Sequence, residues 1–242
     1  MPEGPSIVIL KEALLKFKGK KIIDVHGNSK IDQTRLLNRQ VIDFKSWGKH
    51  LLICFEDFTL KIHLLMFGSF RIDEERDLPP RLALHFSNGF VNFYSCSVKI
   101  LEGYVDTLYD FTSDVMNDEW DEQKAYSKLT LLPDTLACDA LLEQEIFAGV
   151  GNIIKNEVLF RIKVHPESTI GNIPDDKLWQ MIAEARNYSF DFFEWRKEFV
   201  LKKHYLIYTK KTCPVCEGKV TRKNTGVKNR RSFFCENCQV KY

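Results

Sequence analysis

Cys213-Pro214-Val215-Cys216 and Cys235-Glu236-Asn237-Cys238 stand eighteen residues apart in this 242-residue chain, and no other feature restricts its folding more. Two CxxC pairs separated by roughly 15–20 residues form the four-thiolate zinc pattern. Each pair makes a tight knuckle whose sulfurs point at one ion, and the stretch between must fold as a hairpin to bring the knuckles together. Four thiolates close the coordination shell, so one structural Zn²⁺ is expected, held by Cys213, Cys216, Cys235 and Cys238. Seven cysteines is an odd number, and neither a signal peptide nor a long apolar run is visible. A disulfide framework is therefore disfavoured, and Cys54, Cys96 and Cys138 read as buried, reduced thiols.

The net charge of +2 hides an asymmetry. From Arg196 to Tyr242 there are thirteen Lys and Arg against three Glu, which leaves the rest of the chain mildly acidic. A basic module on an acidic body is an electrostatic footprint for a polyanion.

Apolar residues at Ile7, Leu10, Leu14, Leu15 and Phe17 predict an amphipathic helix stopped near Gly19. Short β segments follow at Lys21–His26, Val41–Trp47, His50–Phe55, Thr59–Leu64, Ser69–Ile72, Arg81–Phe86 and Phe90–Tyr94, with turns at Glu56-Asp57 and Ser87-Asn88-Gly89. Many short strands predict a sandwich or barrel. An acidic stretch, 113–128, reads as a linker. Helices are expected at Asp134–Gln144, Asn152–Ile162 and Asp175–Arg196, punctuated by Pro133, Gly149-Val150-Gly151 and His165-Pro166. Walker, Rossmann and metalloprotease motifs are absent.

Two local features carry chemistry. If Met1 is removed, Pro2 presents a secondary α-amine beside Glu3. Such an amine titrates near pH ~8, is partly uncharged at neutrality, and can attack an electrophilic carbon to give an iminium. Asn152 follows Gly149-Val150-Gly151 at a helix start, where free N–H groups and the helix dipole favour an anion. A plain N-cap uses the same geometry.

With these pieces in place the chain resembles the formamidopyrimidine-DNA glycosylase/endonuclease VIII family of base-excision repair enzymes. The resemblance runs over essentially the full length. It rests on Pro2-Glu3-Gly4-Pro5, Trp47-Gly48-Lys49-His50-Leu51-Leu52, Ile62-His63-Leu64-Leu65-Met66-Phe67-Gly68-Ser69, Gly149-Val150-Gly151-Asn152 and the cysteine hairpin. It implies an α+β multidomain fold that clamps DNA. The expected parts are an N-terminal catalytic β-sandwich (1–112), the linker, a helix–two-turn–helix domain (129–208) and a zinc-finger β-hairpin (209–242).

The resemblance also implies roles. Pro2 matches the nucleophile that attacks the anomeric carbon, and Glu3 the residue that protonates the sugar ring oxygen. Lys49 matches a lysine that holds a phosphate near the lesion, and Arg230 matches the hairpin arginine that grips the lesion's phosphates, with Arg231 competing for that role. His63 matches another phosphate-side residue, although a histidine on an apolar strand is more often a core residue. Met66 and Phe67 occupy the wedge position that fills the gap left by an extruded base, with Leu65 beside them and core packing as the alternative.

Three departures bear on substrate. Ser6 stands where many members carry glutamate. Val98-Lys99-Ile100 replaces the Arg-x-Phe pair inserted opposite oxidised guanine, and 167–210 is short for the lesion-capping loop. The expectation is a bifunctional DNA glycosylase/AP lyase that favours oxidised pyrimidines in damaged double-stranded DNA, or lesions in single-stranded or bubble DNA. It would be monomeric, cytoplasmic and independent of membranes. The alternatives are an oxidised-purine glycosylase of the same family and a non-catalytic zinc-finger DNA-binding protein.

Overall fold

Alternating apolar positions in the first half of the chain build two facing sheets. The computed structural model describes residues 2–242, so the expected removal of Met1 lies outside the described residues. The chain divides after Asp110 into two compact units.

The first unit opens with helix α1 (Gly4–Leu14), extended by a 3₁₀ turn at Leu15–Phe17. Eight strands follow: β1 (Ile22–His26), β2 (Asp43–Trp47), β3 (His50–Cys54), β4 (Phe58–His63), β5 (Ser69–Ile72), β6 (Leu82–Phe86), β7 (Gly89–Tyr94) and β8 (Ser97–Glu102). They form two antiparallel sheets of order β2-β3-β4-β8 and β1-β6-β7-β5. Phe44, Leu51, Ile53, Leu60 and Ile62 from one sheet meet Ile22, Leu82, Leu84, Val91 and Phe93 from the other, and Ile7, Leu10 and Leu14 of α1 join the same core. Side chains alternate between faces with period two, so every second residue enters this layer. The expected sandwich is the observed one. Strand β8 was not anticipated. Val98 and Ile100 alternate with Lys99, and the ladder to β4 pairs Val98 with Ile62 and Ile100 with Leu60. A one-turn helix, α2 (Val105–Leu108), closes the unit.

In the second unit, α3 (Glu122–Thr130), α5 (Asn152–Arg161) and α6 (Asp175–Lys197) surround one core. Helix α6 buries Leu178, Met181, Ile182, Ala185, Tyr188 and Phe192, the spacing of one helical face. Asp175 and Asp176 in its first turn, and Arg196 and Lys197 in its last, match the dipole.

Two expectations change here. The 113–128 stretch is built into this core and does not behave as a linker. Val115 and Ala125 are buried, Val115 N–H donates to Ala148 O at 3.2 Å, and Lys128 Nζ donates to Glu145 O at 2.6 Å. Its acidic residues other than the buried Asp114 face solvent, while Val115 and Ala125 face inward. The helix expected over 134–144 is a single turn, α4 (Ala137–Ala140). Beyond it the chain folds back, and the Gln144 side chain accepts from Gly149 N–H at 3.2 Å and donates to Val150 O at 3.2 Å.

The hairpin β9 (Thr221–Thr225) and β10 (Arg230–Phe234) belongs to the same unit, with Phe160 of α5 in one apolar cluster with Ile207, Cys213, Val220, Phe233 and Cys235. Among the described residues, no helix is long and apolar enough to cross a membrane.

Candidate nucleic-acid interface and metal centre

In the first unit, Pro2 is half-buried and Glu3 fully buried at the head of α1. Pro5 sits in the first turn, where its missing N–H costs nothing, and Ser6 N–H donates to Glu3 O at 2.9 Å. Ile7, Leu10 and Leu14 hold the helix in the core, so the segment carrying Pro2 and Glu3 is anchored from its first turn.

The β2–β3 hairpin turns on Gly48 and Lys49, with Trp47 opposite His50. Gly48 has a φ of 52°, the positive value that the first position of a tight type II′-like turn requires. Lys49 is therefore placed at a hairpin tip, half-buried.

His50 faces His63 across β3 and β4, with ring centroids 5.4 Å apart. Tyr109 Oη lies 3.3 Å from His50 Nδ1, and the Trp47 ring lies 5.1 Å from that of Tyr109, tilted by 46°, while Nε1 donates to Asp110 O at 2.9 Å. Burial, then the charges of Lys61, His63 and Lys49, pushes His50 down to about 4. His63 is lowered for the same reasons, burial first. Burial pushes the Tyr109 phenol up to about 12. Both imidazoles are thus neutral at physiological pH, and the local positive charge belongs to lysines. Two of them escaped sequence reasoning. Lys61 lies directly opposite Lys99 on β8, and burial and this neighbour both lower Lys61. Like charges in register destabilise a sheet unless an anion relieves them.

Leu65, Met66 and Phe67 form an exposed turn, at 49%, 50% and 85% exposure. Core packing is therefore not their role. Gly68 N–H donates to Leu64 O at 2.7 Å, and a Cβ on Gly68 would lie 1.9 Å from that oxygen, so only glycine closes this turn. Leu65 N–H reaches His63 Nδ1 at 3.2 Å, which ties the turn to the histidine.

In the second unit, Gly151 in extended backbone caps α5. Asn152 follows, 5% exposed, and its Oδ1 has no hydrogen-bond partner among the described residues. Arg230 and Arg231 begin β10, and Arg231 Nε donates to Asn224 Oδ1 at 2.8 Å. The side-chain amide of Asn156 ties the start of α5 to β10. Asn156 Nδ2 donates to Asn152 O at 2.6 Å and to Arg231 O at 3.3 Å, and Asn156 Oδ1 accepts Phe233 N–H at 2.7 Å. Lys155, fully buried, donates to Ser232 Oγ at 2.9 Å and Arg231 O at 3.2 Å. Glu157 accepts the N–H groups of Leu206, Ile207 and Tyr208. Asp139 of α4 accepts Val227 and Lys228 N–H at 2.7 and 3.1 Å, fixing the hairpin turn.

Sequence reasoning missed all four of these polar residues. A signal existed for three. Lys155-Asn156-Glu157 interrupts the apolar run from Ile153 to Phe160, and a helix apolar on its remaining faces has no solvent side to offer them.

The Sγ atoms of Cys213, Cys216, Cys235 and Cys238 lie within 4.8 Å of one another, with Cys213–Cys238 at 3.8 Å and Cys216–Cys235 at 3.4 Å. A tetrahedral ion with Zn–S bonds of about 2.3 Å requires sulfurs about 3.8 Å apart, so the residues present fit zinc. The Gly218 N–H and the neighbouring thiols lower Cys216 to about 6, whereas Cys238 is pushed up to about 12, first by Cys216. These contacts thus favour a thiolate at Cys216 and disfavour one at Cys235 and Cys238. Cys54, Cys96 and Cys138 are buried and unpaired, and burial raises all three thiols.

Comparison with known proteins agrees with this arrangement. The formamidopyrimidine-DNA glycosylase N-terminal domain matches residues 1–97, and the formamidopyrimidine-DNA glycosylase H2TH domain matches residues 108–187. Endonuclease 8-like 3 of Bos taurus is 30% identical over 222 residues, covering 88% of this chain and 37% of that protein. Its Mus musculus counterpart is 29% identical over 215 residues, covering 85% and 36%. The chain therefore spans a little over a third of the length of these curated relatives. In structure, Lactococcus lactis formamido-pyrimidine DNA glycosylase, solved non-covalently bound to AP-site DNA, superposes with a TM-score of 0.85 at 21% identity, over 99% of this chain and 100% of that one. The sandwich, the helical unit and the four-cysteine hairpin are thus the parts of one known fold, and the chain belongs to the formamidopyrimidine-DNA glycosylase/endonuclease VIII family.

Proposed function

We propose that this chain is a bifunctional DNA glycosylase/AP lyase that removes oxidised bases, pyrimidines in preference, from damaged DNA. The observation that carries the reading is Glu3, fully buried beside Pro2 at the head of a helix anchored in the core. A carboxyl group so placed can move protons next to an amine nucleophile.

With Met1 removed, the uncharged Pro2 nitrogen attacks C1′ of the damaged nucleotide. The N–C1′ bond forms as the glycosidic bond breaks, and the base leaves with the bonding pair and takes up the proton that the Pro2 nitrogen gives up. Glu3 protonates the ring oxygen as the C1′–O4′ bond opens, which leaves a positively charged iminium. The iminium withdraws electrons from C2′, so loss of a C2′ proton expels the 3′ phosphate, and a second elimination expels the 5′ phosphate.

Lys49, Asn152 and Arg230 would hold phosphates, with Arg231 as a second arginine at the hairpin. His63, neutral at physiological pH, would donate or accept a hydrogen bond there. Met66 and Phe67 would fill the space of the extruded base. Zn²⁺ on the four cysteines would fix the hairpin that presents Arg230. When bound it supplies structure and no chemistry, because the four thiolates occupy all its positions.

A second reading, action on single-stranded or bubble DNA, is favoured by one observation. Val98-Lys99-Ile100 is tied into the β8 ladder and offers no protruding loop for the opposite strand.

The test is strand cleavage and borohydride trapping on oligonucleotides that each carry one defined lesion. Hydride reduces the iminium to a stable amine, so a covalent protein–DNA product is expected with oxidised-pyrimidine and abasic substrates. Tight DNA binding without any trapped product, from protein whose mass shows Met1 absent, would favour the non-catalytic binding protein.

A further inference from the structure

Strand β1 breaks its own alternation. Ile22 pairs with Phe86, but Asp24 pairs with His85, so one extra residue bulges at Ile23. A bulge shifts the side-chain parity of everything beyond it. Ile22 before the bulge and Val25 after it both face the core, and Asp24 and His26 are turned outward together. On β6, Leu82, Leu84 and Phe86 face the core and His85 faces outward. Ala83 stands opposite His26 and contributes almost no bulk beneath the imidazole.

Three metal-ligating groups are thereby gathered on one face of two paired strands. One ligand atom from each of Asp24, His26 and His85 lies within 4.8 Å of the others. The two imidazole rings are 5.1 Å apart, and His26 Nδ1 is 3.2 Å from Asp24 Oδ2. His85 stacks on Phe90 at 5.0 Å and 14°, which fixes its ring plane. Its Nε2 is buried and has no hydrogen-bond partner among the described residues. A ring nitrogen withdrawn from water and left unpaired is stabilised by any electrophile that reaches it.

We propose that Asp24, His26 and His85 form a second metal site, separate from the four-cysteine centre, that takes a borderline divalent transition cation such as Zn²⁺ or Ni²⁺. Two imidazoles and one carboxylate suit these ions, whereas Mg²⁺ and Ca²⁺ demand oxygen donors. Metal–nitrogen bonds of about 2.05 Å in tetrahedral geometry need ligand atoms about 3.3 Å apart, which side-chain rotation of exposed Asp24 and His26 supplies. Three protein ligands leave a coordination position for water or an external ligand. The bound ion would staple β1 to β6 across the bulge and stabilise the first unit by an amount that grows with the logarithm of free metal above its Kd.

Protein carrying one zinc equivalent on its cysteines is titrated with Zn²⁺ calorimetrically, with long-range ¹H–¹⁵N spectra recorded on the histidines. One further equivalent should bind, shifting the His85 Nε2 and His26 resonances, and excess Mg²⁺ should not displace it. His26→Gln and His85→Gln, which preserve size on an outward face, should each abolish the extra equivalent. Asp24→Asn should weaken it by at least tenfold. The four-cysteine zinc should be unchanged in all three. Absence of a second equivalent in the wild-type protein, or its survival in a His26→Gln/His85→Gln double variant that retains the wild-type unfolding midpoint, would overturn the proposal.

Discussion

Asn156 Oδ1 accepts the buried Phe233 N–H at 2.7 Å, so one side chain of α5 completes the backbone pairing of β10. The other half of the amide holds Asn152 O and Arg231 O. Asn156→Ala strands these groups, and a buried unsatisfied donor costs about 1–3 kcal/mol. The second unit should lose about 2 kcal/mol, and the Phe233 amide should exchange with deuterium faster by about 30-fold. Under the proposed function, DNA affinity should fall as well, because Asn152 and the Arg230–Arg231 segment lose their common tie. Unaltered exchange at Phe233 would show that the bond does not hold the hairpin.

His50 gives the first unit a defined pH dependence. Its folded value of about 4 lies below the roughly 6.5 of an unfolded histidine. Between these values the unfolded chain takes up a proton that the folded one refuses. The stabilisation is therefore present above pH ~6.5 and is lost as pH falls toward 4, at up to about 1.4 kcal/mol per pH unit. Urea midpoints at pH 7.5 and 5 measure this loss. His50→Gln should flatten it, leaving the smaller contributions of His63 and His165, both also lowered chiefly by burial. Identical slopes for wild type and variant would contradict the assignment.

Phe67 is 85% exposed, so its removal should leave stability within about 0.5 kcal/mol of wild type. Phe67→Ala should nevertheless slow excision from duplex DNA, where a base must be extruded, and spare excision from single strands, where stacking is already lost. Equal slowing on both substrates would remove Phe67 from the wedge role.

Salt dependence separates the cations from the neutral contacts. Each phosphate neutralised by Lys or Arg contributes about −0.9 to the slope of log affinity against log salt on duplex DNA. Lys49→Met and Arg230→Met should each flatten the slope by about 0.9. His63→Gln should reduce affinity and leave the slope unchanged, because burial and Lys49 keep His63 neutral. A slope change with His63→Gln would mean that the imidazole is charged when DNA is bound.

The parts of this molecule that were readable in its sequence are those encoded by local spacing. The CxxC pairs announce their convergence, the face of α6 repeats every three to four residues, and the glycine–lysine turn marks its own hairpin. Strand β8 escaped because its edge position leaves Val98 and Ile100 only half-buried, so the alternation is shallow. Lys155, Asn156 and Glu157 read as surface residues by composition. Their burial depends on distant chain: the β10 segment supplies partners to Lys155 and Asn156, and the N–H groups of Leu206, Ile207 and Tyr208 satisfy Glu157. Asp24 and His26 depend on a bulge that no residue type signals. The acidic 113–128 stretch misled for the opposite reason, since a few apolar contacts outweigh many solvated charges.

The proposed mechanism turns on the identity of the nucleophile. Protein with Met1 absent by intact mass is mixed with abasic-site DNA and borohydride, the trapped complex is digested, and the nucleotide-bearing peptide is sequenced by mass spectrometry. The remnant should sit on the Pro2 nitrogen, and protein retaining Met1 should give no trapped complex. A remnant on a lysine side chain instead would contradict the mechanism at its first step.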